Sequence, residues 1–231
     1  MSRLFICTCA LVVSACATAP RPLSATATPA ERLEASELAV TSAHDAKVSF
    51  VTESKGMVNA QLTGTIELYS KNVVAFAAEG QFAEDQVRVE LDTKTDKQNR
   101  SLSKGATVSN HLEPVPEALS EALGVMLVRM GLMHTVANLT SDQPVEHSTG
   151  GVREWVKALE PRELGAESAG GIACHRIEFS LWVAGQTVGT SNVCIADATA
   201  LPVERVTIVK NASGQMVVNE RYSWSFKATS D

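Results

Sequence analysis

The chain has 231 residues, 45% of them hydrophobic and 20% charged, an ordinary globular composition with only 5% aromatics. Its formal net charge is −6 at pH 7 with both signs interspersed, so it lacks the basic footprint that nucleic-acid binding requires. The length suits one large domain or two very small ones.

At the amino end, Arg3, the apolar run from Leu4 to Val13 and the small residues before Cys16 form the layout of a secretory signal. That run is too short to span a membrane, which takes about 20 residues. Val13-Ser14-Ala15-Cys16 resembles a bacterial lipobox. The resemblance implies that residues 1–15 are a lipoprotein signal peptide and that Cys16 carries fatty acyl chains such as palmitate. An ordinary signal peptide with an incidental cysteine is the alternative. Two or more acyl chains anchor a protein firmly where one is marginal. Ala17, where an aspartate would direct inner-membrane retention in the Gram-negative sorting pattern, implies an outer-membrane anchor facing the periplasm.

Residues 16–28 read as a flexible tether, since from Ala17 to about Ala27 the chain is chiefly Ala, Thr, Pro and Ser with one Arg. Thr28-Pro29-Ala30-Glu31 is a capping box with proline at the first helical position, predicting a helix from Pro29 to about Val40 with Leu33, Leu38 and Val40 on its apolar stripe. From Lys47 the period changes to two. Val48 and Phe50, then Leu62 to Leu68, then Val74 to Phe82, then Val87 to Leu91 alternate between short polar turns, which predicts an antiparallel meander. Asp92 to Lys104 reads as an exposed strand pair or long turn. Leu119, Ala122, Leu123, Met126, Met130, Met133 and Ala137 recur at helical spacing with Arg129 the only charge between Ala122 and Met133, so this helix is buried or lies in an apolar trough. Val152 to Leu159 reads as a further helix.

The remainder returns to strands: Ile172 to Val183, Thr187 to Ala196, a stretch with Val206 and Ile208 on its dry face, and a last strand through Met216, Val218, Tyr222, Trp224 and Phe226. Once processing removes Cys7 and Cys9 and lipidation takes Cys16, Cys174 and Cys194 remain, and in an oxidising compartment they form a disulfide. With a turn centred on residue 184 they would lie directly opposite. Zinc is the rival reading, but a second close pair of ligands is missing. The pattern is α+β: a single curved antiparallel sheet of about eight strands, a half-open barrel, with helices on its concave face.

The order of elements, together with Asp197-Ala198-Thr199-Ala200-Leu201-Pro202-Val203 and Gly170-Gly171-Ile172-Ala173-Cys174-His175, resembles the LolA/LolB-like lipoprotein-carrier superfamily. Ala200 stands where that family usually has glycine. The resemblance implies that residues 29–231 form a domain binding an apolar guest, an acyl chain, lipid or lipoprotein, in a sheet–helix cavity. Met126, Met130 and Met133 would offer a pliable lining, with Trp182 and Trp224 as further candidates. Core packing is the competing reading for all five. Arg88 and Arg129 are candidates for the arginine that engages cargo. Partners are thus the membrane, through the anchor, and a lipid or acyl-chain ligand; a monomer is expected, without nucleic acid, cofactor or metal.

Enzymatic readings are poor. Gly-x-Ser-x-Gly, P-loop, Gly-x-Gly-x-x-Gly and His-Glu-x-x-His patterns are absent from the sequence. Ser101-Leu-Ser-Lys104 matches Ser-x-x-Lys without its partner motifs. Two sequence-adjacent pairs, His111 with Glu113 and Glu146 with His147, could hold a metal only weakly. The competing functional classes are therefore a protein-holding envelope scaffold and, third, a hydrolase assembled from separated residues.

Overall fold

In the computed structural model, residues 22–24, 26–95, 97–114, 118–139, 151–212 and 214–227 are described. The signal-like segment, Cys16 and Ala17 lie outside them, as does the Glu146–His147 pair. Helix α1 runs Pro29–Ser42, starting where the capping box predicts. The Glu31 amide donates to Thr28 Oγ1 (3.3 Å) and the Thr28 amide donates to Glu31 Oε2 (2.7 Å). Its buried stripe is Arg32, Leu33, Ser36, Glu37 and Val40, whereas Leu38 is 64% exposed. The N-terminal approach is seated too: the Leu23 amide donates to Asp197 O (3.1 Å), and Leu23 packs on the core.

Eleven strands form one open antiparallel sheet: β1 (Ala46–Gly56), β2 (Ala60–Ser70), β3 (Val73–Phe82), β4 (Asp85–Asp92), β5 (Lys97–Lys104), β6 (Thr107–Pro114), β7 (Val156–Ala169), β8 (Ile172–Val183), β9 (Gln186–Ala196), β10 (Pro202–Asn211) and β11 (Gly214–Phe226). Their order is β6-β5-β4-β3-β2-β1-β11-β10-β9-β8-β7, so the first and last strands pair at the centre. The meander and the β8–β9 hairpin appear as expected, and the sheet is three strands wider than the sequence suggested. Much of the difference is β5, β6 and β7. Where a helix is expected to continue to Leu159, only α4 (Val152–Trp155) is helical and the chain passes straight into β7.

Alternation puts one face of the sheet in the core. Val48, Phe50, Leu62, Ile66, Phe76, Val89, Ile177, Phe179, Val193 and Tyr222 are all at most 5% exposed. The long apolar helix expected between 119 and 137 is broken into α2 (Leu119–Val125), a π-helical turn (Met126–Met130) and α3 (Leu132–Leu139). Gly131 makes the break with φ of 96°. α1, α4, the π turn and α3 rest chiefly on β7, β9, β10 and β1. Among the described residues, no helix is long and apolar enough to cross a membrane.

Cys174 and Cys194 are bonded, on the sheet face away from Ile177 and Val193, where both are fully buried with Ala196 and Val203. They are not directly opposite. The turn is the residue pair Ala184–Gly185, both at positive φ, and the β8–β9 register shifts at Leu181/Trp182. Cys174 therefore faces Ala196, and Cys194 faces Arg176. The diagonal still leaves the Cα atoms 5.6 Å apart, within disulfide reach. Ala200 holds a φ of 58°, a left-handed conformation that glycine adopts without strain.

Candidate functional site

The helical layer meets the sheet at a buried polar cluster that the sequence pattern did not announce. Register pairs Arg205 of β10 with Glu220 of β11, and Glu220 with Thr52 of β1, all on the core face. Arg205 and Glu220 are 1% and 0% exposed. Arg205 Nε donates to Glu220 Oε2 (3.0 Å), and its terminal nitrogens donate to the carbonyls of Arg129 (2.6 Å) and Met130 (2.5 Å). On the other side of the break, the Met133 amide donates to Glu220 Oε1 (2.8 Å). The pair thus straddles Gly131. A cation meets orphan carbonyls at the end of one helical segment, and a carboxylate meets an orphan amide at the start of the next, each matching the local dipole.

Gly131 is required there on two counts. Its backbone occupies a region that side chains rarely adopt, and an added Cβ would fall 1.4 Å from Arg205 Nη2. Tyr222 completes the cluster, donating to Glu220 Oε2 (2.5 Å). Burial pushes its hydroxyl well above the ordinary tyrosine range, and the Glu220 charge adds to that shift.

A second ionic group ties the helices to one another. Glu37 of α1, fully buried, takes Arg129 through both carboxylate oxygens, and Arg153 Nη1 lies 2.6 Å from its Oε2. Arg153 also reaches Glu121 (2.8 Å), and Arg129 donates to the Val156 carbonyl (3.1 Å). Arg129 is therefore committed to structure. Arg88 lies on the opposite face, exposed, between Glu79 and Glu90.

The five tentative ligand residues are not gathered around one hollow. Met130 and Met133 are 5% and 4% exposed, with their backbone groups bonded to the Arg205–Glu220 pair, while Met126 is half-buried. Trp224 packs beside the core and donates to the Pro202 carbonyl (2.8 Å). Trp182 belongs to the other face, half-buried beneath Lys157, whose Nζ lies 4.6 Å from the ring centroid. Val206 and Ile208 likewise do not continue the dry face, because Arg205 and Thr207 take the inward positions.

Two shallow depressions, of about 440 and 430 Å³, share Thr65 and Ala77. They are lined mainly by outward residues of β1–β4, among them Ser49, Thr63, Glu79 and Arg88. Ser101 and Lys104 fall on opposite faces of β5, and Lys104 pairs with Asp85 (3.2 Å), so they form no catalytic couple. Among the described residues, the cysteines' one metal-like grouping is with Glu167, and their sulfurs are already spent on the disulfide. Buried hydroxyls of Ser36, Thr52 and Thr135 have no hydrogen-bond partner.

No protein-family model matches this chain, and neither does any curated protein. Solved structures similar to it include the Mycobacterium tuberculosis lipoprotein LppX, at 15% identity over 90% of this chain and 100% of that one, with a TM-score of 0.48. Another is Pseudomonas aeruginosa MucB in complex with MucA, at 13% identity over 87% of this chain and a TM-score of 0.38. The chain spans 59% of that structure's length. A LolA-superfamily protein of Nitrosomonas europaea is similar at 10% identity over 89% of this chain and 96% of that one, with a TM-score of 0.29.

Proposed function

We propose that the chain is a bacterial envelope lipoprotein, held at the outer membrane by acyl chains on Cys16, that binds an apolar guest between its sheet and helical layer. The guest class is an acyl chain, a lipid or a lipoprotein, and the role is binding rather than catalysis. One observation supports this most. The apolar face of the sheet continues across β2–β5 through Ile66, Phe76, Val89, Leu91 and Leu102, past the strands on which the helices chiefly rest. Those five side chains are already at most 9% exposed, so a guest would reach them by displacing what covers them, burying its own apolar surface at roughly 25 cal/mol per Å². Met130 and Met133 are buried, and their backbone carbonyl and amide, respectively, are bonded to Arg205 and Glu220.

Saturable uptake of a fluorescent fatty acid by the chain from residue 16, with Cys16→Ser, tests this reading. Uptake should weaken in Leu91→Trp, at the least buried place on the wing, with the melting transition intact, and persist in Met130→Leu. No uptake, together with a native mass spectrum free of lipid, would refute it. The burial of Met130 and Met133 favours a second reading, a tethered scaffold that holds a protein partner, and a dry interior in the same spectrum would support that one. Lipidation has its own test: the membrane-extracted chain should carry acyl mass that Cys16→Ser abolishes.

A further inference from the structure

The two edges of the sheet are built differently. A free edge invites pairing with another strand, and proteins usually guard it with prolines, bulges and charges. β7 is guarded in all three ways. It contains Pro161, Glu160 at a φ of 53°, two breaks of register against β8, and Lys157, Arg162, Glu163 and Glu167. β6 is barely guarded: it pairs with β5 in one unbroken register, its proline is its last residue, and Glu113 is its one carboxylate or ammonium. It also exposes apolar side chains. Val108 and Leu112 are 63% and 64% exposed, and they point to the same side as Asn110 between them.

We propose that β6 is a self-association edge, on which a second copy of this chain adds its own β6 antiparallel about a two-fold axis at Asn110. Directly opposed residues in an antiparallel pair share a face, so a symmetric pairing must match outward residues with outward ones. Centring on Asn110 sets Val108 of each copy opposite Leu112 of the other, the cross-strand apolar contact that stabilises such pairs. Ser109 then faces His111 and Thr107 faces Glu113, with no like charges opposed. Both copies carry a net negative charge, so a nearly uncharged edge is where their repulsion is least. The interface is isologous and closed, producing a dimer and not a fibre, because the guarded β7 edges remain outermost. It takes the place of the monomer expected from the sequence and does not depend on any guest.

The test uses the full-length chain in its own membrane. Asn110→Cys, under a mild thiol oxidant, should form a covalent species of twice the chain mass that reductant abolishes. Ser103→Cys is the control: it lies one strand in from the edge, so its two copies would be at least three strand spacings, or more than ~14 Å, apart and should not couple. Adding Val108→Lys and Leu112→Lys to Asn110→Cys should abolish the coupling while the melting transition of the chain stays intact. A cross-linked species of any other mass, no cross-link at all, or coupling that survives the lysines with equal yield overturns the proposal.

Discussion

Gly131→Ala is the sharpest probe of how the helical layer is fixed to the sheet. The new methyl carbon would sit 1.4 Å from Arg205 Nη2 and 2.6 Å from Glu220 Oε2, distances no side chain tolerates. Arg205 must therefore leave its place, and with it go the bonds to the carbonyls of Arg129 and Met130. Disrupting one partner of a buried ion pair costs about 3–5 kcal/mol, and the backbone conformation at a φ of 96° contributes about 1–3 kcal/mol. The two overlap, because an Arg205 that has moved relieves part of the crowding, so we expect a total near 4 kcal/mol. That is a large part of an ordinary domain's stability. Gly105→Ala isolates the backbone contribution: Gly105 also has positive φ, 55°, but nothing lies within 4 Å of an added Cβ, so about 1 kcal/mol is expected. Urea unfolding of both variants, compared at equal slope, reads the difference. Equal and small losses at the two glycines would refute the claim that Arg205 and Glu220 staple the break.

Further outcomes follow from other sites. Cys174→Ser, Cys194→Ser and the double variant should each lose about 3 kcal/mol under oxidising conditions, since the bond closes a separation of 20 residues; unchanged wild-type stability in reductant would argue against it. Arg129→Met should cost about 3–5 kcal/mol because it strips the fully buried Glu37 of its two-point partner, whereas Arg153→Ala, removing a side chain 42% exposed, should cost under about 1 kcal/mol in the same denaturation assay. Tyr222 makes stability fall in alkali. Its hydroxyl releases its proton far less readily folded than unfolded, so the folded state holds more protons above pH ~10 and loses stability as pH rises through that range. Tyr222→Phe should flatten that decline, followed by thermal unfolding across alkaline pH.

Period-two runs and turn residues made β1–β4, β8, β9 and β11 legible, and the capping box located the start of α1 to the residue. β7 was not legible because an edge strand covered on little of its surface has no need of alternation; its first residues, up to Leu159, read as part of a helix from Val152. β5 falls at the end of the stretch that read as an exposed strand pair or long turn, and the mostly polar β6 gave no alternation to read. At the centre of the sheet the pattern misled for the opposite reason. Val206 and Ile208 supply the apolar period, yet the inward positions go to Arg205 and Thr207, since Arg205 satisfies carbonyls that the interrupted helix leaves bare. One clue was present: Glu220 falls in phase with the buried Val218 and Tyr222, and a charge in an inward series calls for a partner. The methionine spacing identified a buried helix correctly, but spacing alone cannot distinguish a lining from a filling.

Joining β1 to β11 at the middle of the sheet has a consequence for how the molecule comes into being. The seam sets residues 46–56 against 216–226, so it cannot close until the chain has been made through the roughly 170 residues that separate its paired positions. Before that seam closes, β1 and β11 each lack this neighbour and present an unpaired strand edge. Contacts so distant along the chain form slowly. The nascent protein therefore spends its vulnerable interval with its future centre exposed, and any factor that delays compaction would act on that seam first.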